Sequence, residues 1–211
     1  MFKKLGGVRL VRFEPECHIS KLYEWYYSGE YPEFFRDFPD VANASELIQY
    51  AINKVFIIIK EDDNSIIGMQ LCYQENIYAR NFWLGELLEK QFSHKGFGIS
   101  ALKSFLNWKF NYCNFYKMKM HIMAKNKRVC QIMENFGAYR EGGETAVFKK
   151  DSFLNGEFHD IAVYAMFKTD FNKKYKHEFE HDEPRLESPI LEVLHGQKRG
   201  RSRAIEAVSG A

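Results

Sequence analysis

The chain has 211 residues and a formal net charge of +2; 45% of its residues are hydrophobic and 16% are aromatic. This length and apolar content predict one globular domain with a packed core, while the nearly balanced charge argues against a dedicated nucleic-acid-binding protein. The longest apolar run, residues 55–59, lies between two lysines and is far too short to cross a membrane, so we interpret it as a buried strand.

The N-terminal segment predicts a strand and not a secretion signal. Residues 1–7 are basic, but they lead into residues 8–13, where apolar and charged side chains alternate as in a half-buried strand. The four cysteines are scattered without CxxC spacing, which predicts neither a disulfide framework nor a zinc site. We therefore expect a cytoplasmic protein without a metal centre, whose cysteines are buried as small hydrophobic side chains.

Two helices are predicted next, over residues 18–27 and 44–53, with Asn43 or Ser45 as the N-cap of the second. The connection between them is rich in aromatic rings. These rings are Tyr26, Tyr27, Tyr31, Phe34, Phe35 and Phe38. Most of them are expected to fill space beside a sheet.

Three antiparallel strands follow along the chain. Residues 55–60 and 65–73 are joined by a polar hairpin turn at residues 61–64, and a second turn near Asn76 leads to a strand that ends at Glu89. Aliphatic and aromatic side chains dominate these strands, which is typical of strands buried in a sheet.

The most informative segment, residues 93–98, lies between the last of these strands and a predicted helix over residues 99–111. It reads Ser93, His94, Lys95, Gly96, Phe97 and Gly98. Glycines let the backbone turn tightly and approach a ligand closely, and the first N–H groups of a helix have no intrahelical acceptor. The segment therefore predicts an anion site that suits a pyrophosphate.

Two common phosphate loops do not fit this segment. The Walker pattern requires Gly-Lys followed by Ser or Thr, which the chain lacks. The dinucleotide fingerprint requires a third glycine, but Ala101 stands at the only similar spacing. We also predict no parallel strand–helix–strand unit around the segment.

Further motifs follow the predicted helix over residues 99–111. A predicted strand over residues 116–123 is followed by Asn126 and by a second helix that ends at Gly137. A turn with Gly156 then leads through Asp160 into a final strand.

In this order and spacing, the motifs resemble the GNAT superfamily of N-acetyltransferases. The coenzyme A loop of that superfamily is Gln/Arg-x-x-Gly-x-Gly/Ala, which residues 93–98 match except at the first position. The resemblance covers about residues 7–170 and is nearest to the branch similar to ribosomal-protein N-terminal acetyltransferases.

The resemblance implies an α/β fold over residues 1–171, with a mixed, mostly antiparallel sheet that splays at its centre and is flanked by helices. It also implies acetyl-CoA as the acetyl donor, with its pyrophosphate on the loop amides and its pantetheine arm against the strand before the loop. The residues so implied in donor binding are Leu87, Leu88, Ser93, His94, Lys95, Gly96, Phe97, Gly98, Ile99, Ser100 and Asn126.

The chemistry implied is direct attack of a neutral amine on the thioester, which requires removal of a proton from the ammonium form. Glu86 is the candidate base or holder of a water, because burial would raise the pKa of a carboxyl within an apolar strand. The alternative is that Glu86 points outward and pairs with a lysine. Tyr139 and Tyr164 are weaker candidates for an acid, or else core aromatics. Many relatives place a tyrosine acid where this chain has Met133, and several place their base where it has Phe82.

Two departures from the family pattern leave a second function open. Ser93 replaces the usual Gln or Arg, and His94 replaces a glycine that is common in this branch. Backbone donors survive such changes, but a bulkier His94 would narrow the mouth of the site. The alternative is a non-catalytic structural or interaction protein of the same fold, for example a viral or accessory protein.

The C-terminal region also favours an interaction with a partner. Residues 172–211 alternate between basic and acidic runs and are predicted to form a flexible extension. Within it, the short apolar segment 189–194 suits docking on a protein partner or on the protein's own surface. The acceptor amine is unidentified and is either a protein N terminus or a small molecule. The family resemblance implies a homodimer, and no membrane association is expected.

Overall fold

The computed structural model describes residues 6–35, 38, 43–142, 148–154 and 156–179. Its strands are β1 (Val8–Arg12), β2 (Val55–Lys60), β3 (Ile66–Asn76), β4 (Asn81–Leu88), β5 (Lys117–Met123), β6 (Tyr139–Arg140), β7 (Phe148–Leu154) and β8 (Glu157–Phe167). Within the described residues these eight strands form one sheet in the order β1-β2-β3-β4-β5-β8-β6, and β7 also pairs with β8.

Helices lie on both faces of this sheet. They are α1 (Pro15–Tyr27), α2 (Pro32–Phe35), α3 (Ala44–Ala51), α4 (Phe97–Asn107), α5 (Lys127–Phe136) and α6 (Lys168–Tyr175). α1 begins earlier than predicted because proline suits the first position of a helix. The predicted cap of α3 is Asn43, whose side chain accepts a hydrogen bond from Glu46 N. A π-helical turn, Trp108–Tyr112, follows α4.

β4 and β5 run parallel, and α4 is the crossover between them. The expectation that no parallel strand–helix–strand unit surrounds the loop is therefore wrong, because the direction of pairing depends on segments far apart in sequence. The other neighbouring strands pair antiparallel. The sheet is thus mixed and mostly antiparallel, as predicted.

Each face of the sheet carries a hydrophobic core. Phe56 and Ile58 of β2 belong to the core that includes residues of α4, α5 and α6, while Ile57 and Ile59 belong to the core that includes residues of α1 and α3. Successive side chains of a strand point to opposite faces. The uninterrupted apolar run in β2 is therefore explained by burial on both faces.

The folded domain continues beyond the boundary predicted at residue 171. Phe171, Tyr175 and Phe179 are all buried, and their spacing of four places them on one face of α6 and the 3₁₀ turn after it. Tyr175 Oη donates a hydrogen bond to Phe136 O at 2.9 Å. Residues 172–179 therefore belong to the domain, and the predicted tail from residue 180 lies outside the described residues.

We expect a chain that ends at residue 171 to be less stable than one that ends at residue 179, by at least about 3 kcal/mol. The shorter chain loses two buried aromatic side chains, Tyr175 and Phe179. Urea unfolding followed by circular dichroism measures the difference, with the 211-residue chain as the reference. Coincident unfolding midpoints for the two truncated chains would place the boundary at residue 171 after all.

Candidate functional site

A cleft opens where β4 and β5 separate. The two strands pair only at Asn81↔Lys117, Phe82↔Met118 and Trp83↔Lys119, although both continue further. Beyond these pairs lies a V-shaped opening of about 680 Å³. Its walls include Leu84, Gly85, Glu86, Leu87, Leu88, Met120, His121, Ile122 and Met123. The strands therefore leave backbone groups on both sides available to an extended ligand.

The glycine loop lies at the wide end of this cleft. Gly96 has a φ of +83° and is the N-cap of α4, and the first helical hydrogen bond runs from Ser100 N to Gly96 O. The amides of the first turn, from Phe97 to Ile99, precede that bond and have no intrahelical acceptor. A Cβ on Gly96 would contact nothing within 4 Å. The loop is thus an open helix N terminus of the kind that binds phosphate.

The loop residues named from the sequence do not all face the cleft. Ser93, His94, Gly96, Gly98 and Ile99 line it, as do Leu87, Leu88 and Asn126. By contrast, the side chains of Phe97 and Ser100 lie against the N-terminal glycines Gly7 and Gly6. Lys95 is exposed, with its Nζ 5.8 Å from the Phe92 ring centroid. Phe97, Ser100 and Lys95 can therefore contribute to this cleft mainly through backbone groups.

Glu86 points beneath the N terminus of α4. A Cβ added to Gly98 would lie only 2.6 Å from Glu86 Oε1, and Gln70 Nε2 donates a hydrogen bond to Glu86 Oε2 at 2.6 Å. Burial raises the pKa of the Glu86 carboxyl to about 7, which the bond from Gln70 opposes. Among the described residues no partner contacts the buried Gln70 Oε1. The alternative in which Glu86 points outward to a lysine is wrong.

The opposite wall of the cleft carries a polar residue and a cation near the loop. Asn126 caps α5, its Oδ1 accepting a hydrogen bond from Val129 N at 3.2 Å. Arg128, in the first turn of α5, contacts His94 Nε2 through its Nη1 at 2.8 Å and so connects α5 with the loop.

Sequence reasoning missed Arg128, although a signal for it existed. A cation in the first turn of a helix opposes the helix dipole, and this turn contains no acidic residue. Such an unfavourable placement is consistent with a role toward an anion.

On the face of the sheet opposite α4, the cleft is lined by residues of α2 and of the connection between α1 and α2. A Cβ on Gly85 would lie 3.3 Å from the Phe34 ring, so Gly85 faces α2 while its neighbour Glu86 faces α4. Tyr31 and Phe34 of the aromatic connection line the cleft, together with the exposed carboxylates of Glu30 and Glu33. The cleft thus has a basic end beside the loop and an acidic side beside α2.

The structure brings neither candidate tyrosine to the cleft. Tyr139 is 53% exposed on β6, and its ring packs beside Phe167. Tyr164 is buried on β8 and donates a hydrogen bond from its Oη to Glu134 Oε1 at 2.7 Å; burial raises the pKa of this phenol. Neither lines the opening between β4 and β5, so the suggested acid role of both residues lacks geometric support.

Two structural features are absent from the described part of the chain. Among those residues there is no group of three or more His, Cys, Asp or Glu side chains that could hold a metal ion. None of the helices described here has the length and apolar character needed to cross a membrane.

Comparison with known proteins identifies a family. The family model described as "Acetyltransferase (GNAT) domain" matches residues 8–139. Spermidine N(1)-acetyltransferase of Vibrio cholerae is 21% identical over 104 residues, which span 49% of this chain and 58% of that relative. The match therefore covers less than two thirds of the length of this curated relative.

Solved structures share the fold. A GNAT-family acetyltransferase from Bacillus anthracis superposes with a TM-score of 0.63 at 19% identity, covering 80% of this chain and 99% of that one. Spermidine N-acetyltransferase from Vibrio cholerae in complex with CoA and spermine gives a TM-score of 0.69 at 16% identity, covering 78% of this chain and 98% of that one. These likenesses confirm the predicted splayed α/β fold.

Proposed function

The chain belongs to the GNAT acetyltransferase family, and from this premise we propose that it transfers the acetyl group of acetyl-CoA to a primary amine by direct attack. The observation that carries the proposal is the V-shaped opening between β4 and β5, which ends at the N terminus of α4. A long donor with an anionic end and an amide-bearing arm matches this shape.

The residues present fit such a donor. First-turn amides of α4 suit the pyrophosphate, and Gly96 leaves its approach open. Arg128 adds a cation at the same end. The backbone of β4 from residue 84 to 88, which is unpaired on its β5 side, offers hydrogen-bonding groups to the amides of the pantetheine arm.

For the acceptor, we propose a small cationic amine of the polyamine class. Glu30 and Glu33 give the α2 side of the cleft a negative character, and opposite charge draws a cationic substrate toward the site. Tyr31 and Phe34 add aromatic surface, which attracts ammonium groups. The matched Vibrio cholerae relatives are named for spermidine, which supports this choice.

Calorimetric titration with acetyl-CoA, followed by an assay for release of CoA thiol with spermidine, tests the proposal. Micromolar binding together with spermidine-dependent thiol release is the expected result. Absence of binding to the folded chain would contradict it and favour the non-catalytic alternative. Binding without turnover of spermidine would retain the donor and reject this acceptor class.

We expect Arg128→Ala to raise the dissociation constant for acetyl-CoA about 10-fold, because a cation at the phosphate end of the cleft is lost. The salt dependence of binding should also become weaker. Arg9→Ala, which removes the same charge from β1, is the matched control and should leave binding unchanged. An equal effect of both variants would show that only net charge matters.

Self-association is a further proposal. One similar Vibrio cholerae spermidine N-acetyltransferase structure is described as dodecameric, with a TM-score of 0.68 at 16% identity. We propose that this chain also forms a homo-oligomer, and light scattering during gel filtration measures its state. The partner expected for the C-terminal tail stays a prediction, because residues 180–211 lie outside the described structure.

A further inference from the structure

His121 stands on β5 near the closed end of the V-shaped opening. It is two residues beyond Lys119, which forms the last pair with Trp83 of β4. The His121 and Trp83 rings lie 4.0 Å apart between centroids, and His121 lines the cleft. A donor whose phosphates bind at α4 and whose arm extends between the strands would bring its acyl end to this region.

His121 also lies on the face of the sheet from which an acceptor would enter. Trp83, Gly85 and His121 share that face, because Gly85 faces Phe34 of α2 and the two rings are in contact. Glu86 points to the opposite face, beneath Gly98. The imidazole is therefore on the acceptor side, whereas the carboxyl is on the side of the phosphate loop.

From this placement we propose that His121 is the base that takes the proton from the acceptor ammonium, an inference that rests on the proposed function. The N–H bond of the ammonium breaks and its proton moves to the imidazole. The freed nitrogen lone pair forms the amide C–N bond at the thioester carbonyl. The C–S bond breaks and its electron pair leaves with the sulfur of CoA, while the second proton lost by the attacking nitrogen goes to that thiolate.

The groups around the imidazole suit this role. Lys119 lies on the same strand and places its Nζ 4.6 Å from the Trp83 ring centroid. Glu30 and Glu33 lie on the α2 side of the cleft, and the residue paired with His121 on β8 is the apolar Val163. On β4, the titratable Glu86 faces away. Imidazole is the side chain that ordinarily changes charge near neutral pH.

The first test compares His121→Gln with His177→Gln, which changes an exposed histidine on the 3₁₀ turn after α6. We expect His121→Gln to lower kcat/KM for spermidine about 100-fold while the dissociation constant for acetyl-CoA changes less than twofold. The pH–rate profile of this variant should lose the limb that reports imidazole ionisation. Its rate should recover when imidazole is added to the assay. A loss below threefold with an unchanged pH profile would overturn the proposal.

A second readout does not depend on turnover. With ¹³C-labelled histidine, the ring signal assigned to His121 by its absence from His121→Gln should shift when acetyl-CoA saturates the protein, while the His177 signal stays in place. No shift at saturation would overturn the placement of His121 at the acyl end. Turnover without that shift would leave the proposed function standing, whereas failure of acetyl-CoA to bind would reject both.

Discussion

Gly98→Glu is expected to raise the dissociation constant for acetyl-CoA by more than 100-fold while the chain remains folded. The new carboxylate would stand in the first turn of α4, where the donor phosphates are proposed to bind, and like charges repel strongly in a partly desolvated site. It would also crowd Glu86, whose Oε1 already lies 2.6 Å from the position of a Cβ at residue 98. Calorimetric titration measures the loss, with circular dichroism as the check on folding.

The matched control is the smaller change Gly98→Ala. Its Cβ meets the same Glu86 oxygen, but a methyl group carries no charge, so binding should weaken only about 10-fold. This contact should make Gly98→Ala destabilising in the natural chain. Without the Glu86 side chain, the same substitution should become stabilising. In a Glu86→Ala background, Gly98→Ala should stabilise the chain by up to about 1 kcal/mol, because alanine is a better helix former than glycine.

The double-mutant comparison also tests whether contact with Glu86 is the reason that residue 98 is a glycine. If Gly98→Ala destabilises the chain equally with and without the Glu86 side chain, the contact with Glu86 is not the reason that glycine stands there. Normal binding by Gly98→Glu would contradict the assignment of the phosphate site itself.

Local patterns predict the individual strands and the glycine loop, since each of these depends on residues that are contiguous in sequence. The alternation in β1, the apolar run in β2 and the two glycines before α4 each carry their signal within a few residues. The resemblance built on their order then implied the splayed sheet.

Features that depend on distant pairing were not predictable in this way. His121 joins the cleft only because β5 lies beside β4, and no local feature marks it. Closeness in sequence to the family motifs makes Tyr139 a candidate, yet its strand lies on the far side of β8 from β5. The sequence predicts the end of the domain too early because α6 is dominated by charged and polar residues, and only Phe171 and Tyr175 of its eight residues are buried.

The catalytic role expected of Glu86 stays a prediction, while its burial has a consequence for stability. Burial raises the pKa of its carboxyl to about 7, as an acidic residue in an apolar strand suggests. The side chain nevertheless faces Gly98 and Gln70 and not the α2 side of the cleft. We therefore expect the Glu86 carboxyl to affect the stability of the folded chain and the glycine loop above it. The free energy of unfolding should then depend on pH.

We expect Glu86→Gln to be more stable than the natural chain at pH 8 by up to about 3 kcal/mol, and nearly as stable as it at pH 4.5. The carboxyl has a pKa of about 7 in the folded chain against an ordinary value of 4.5. Between these values the folded state keeps a proton that the unfolded state releases. Stability is therefore lost as the pH rises through about 7, and a glutamine, which stays neutral, avoids the loss.

Urea unfolding of both chains between pH 4.5 and 8 measures this difference, with Glu16→Gln on the exposed surface of α1 as the control. The difference between the two chains is the useful quantity, because both contain His18. Burial lowers the pKa of His18, which makes the stability of each chain rise with pH and opposes the trend from Glu86 in the natural chain. Parallel stability curves would mean that the Glu86 carboxyl is solvated in the folded state. Curves that diverge between pH 4.5 and about 7 and stay apart at pH 8 would show that the chain keeps a buried acid beneath its glycine loop at a cost to its own stability.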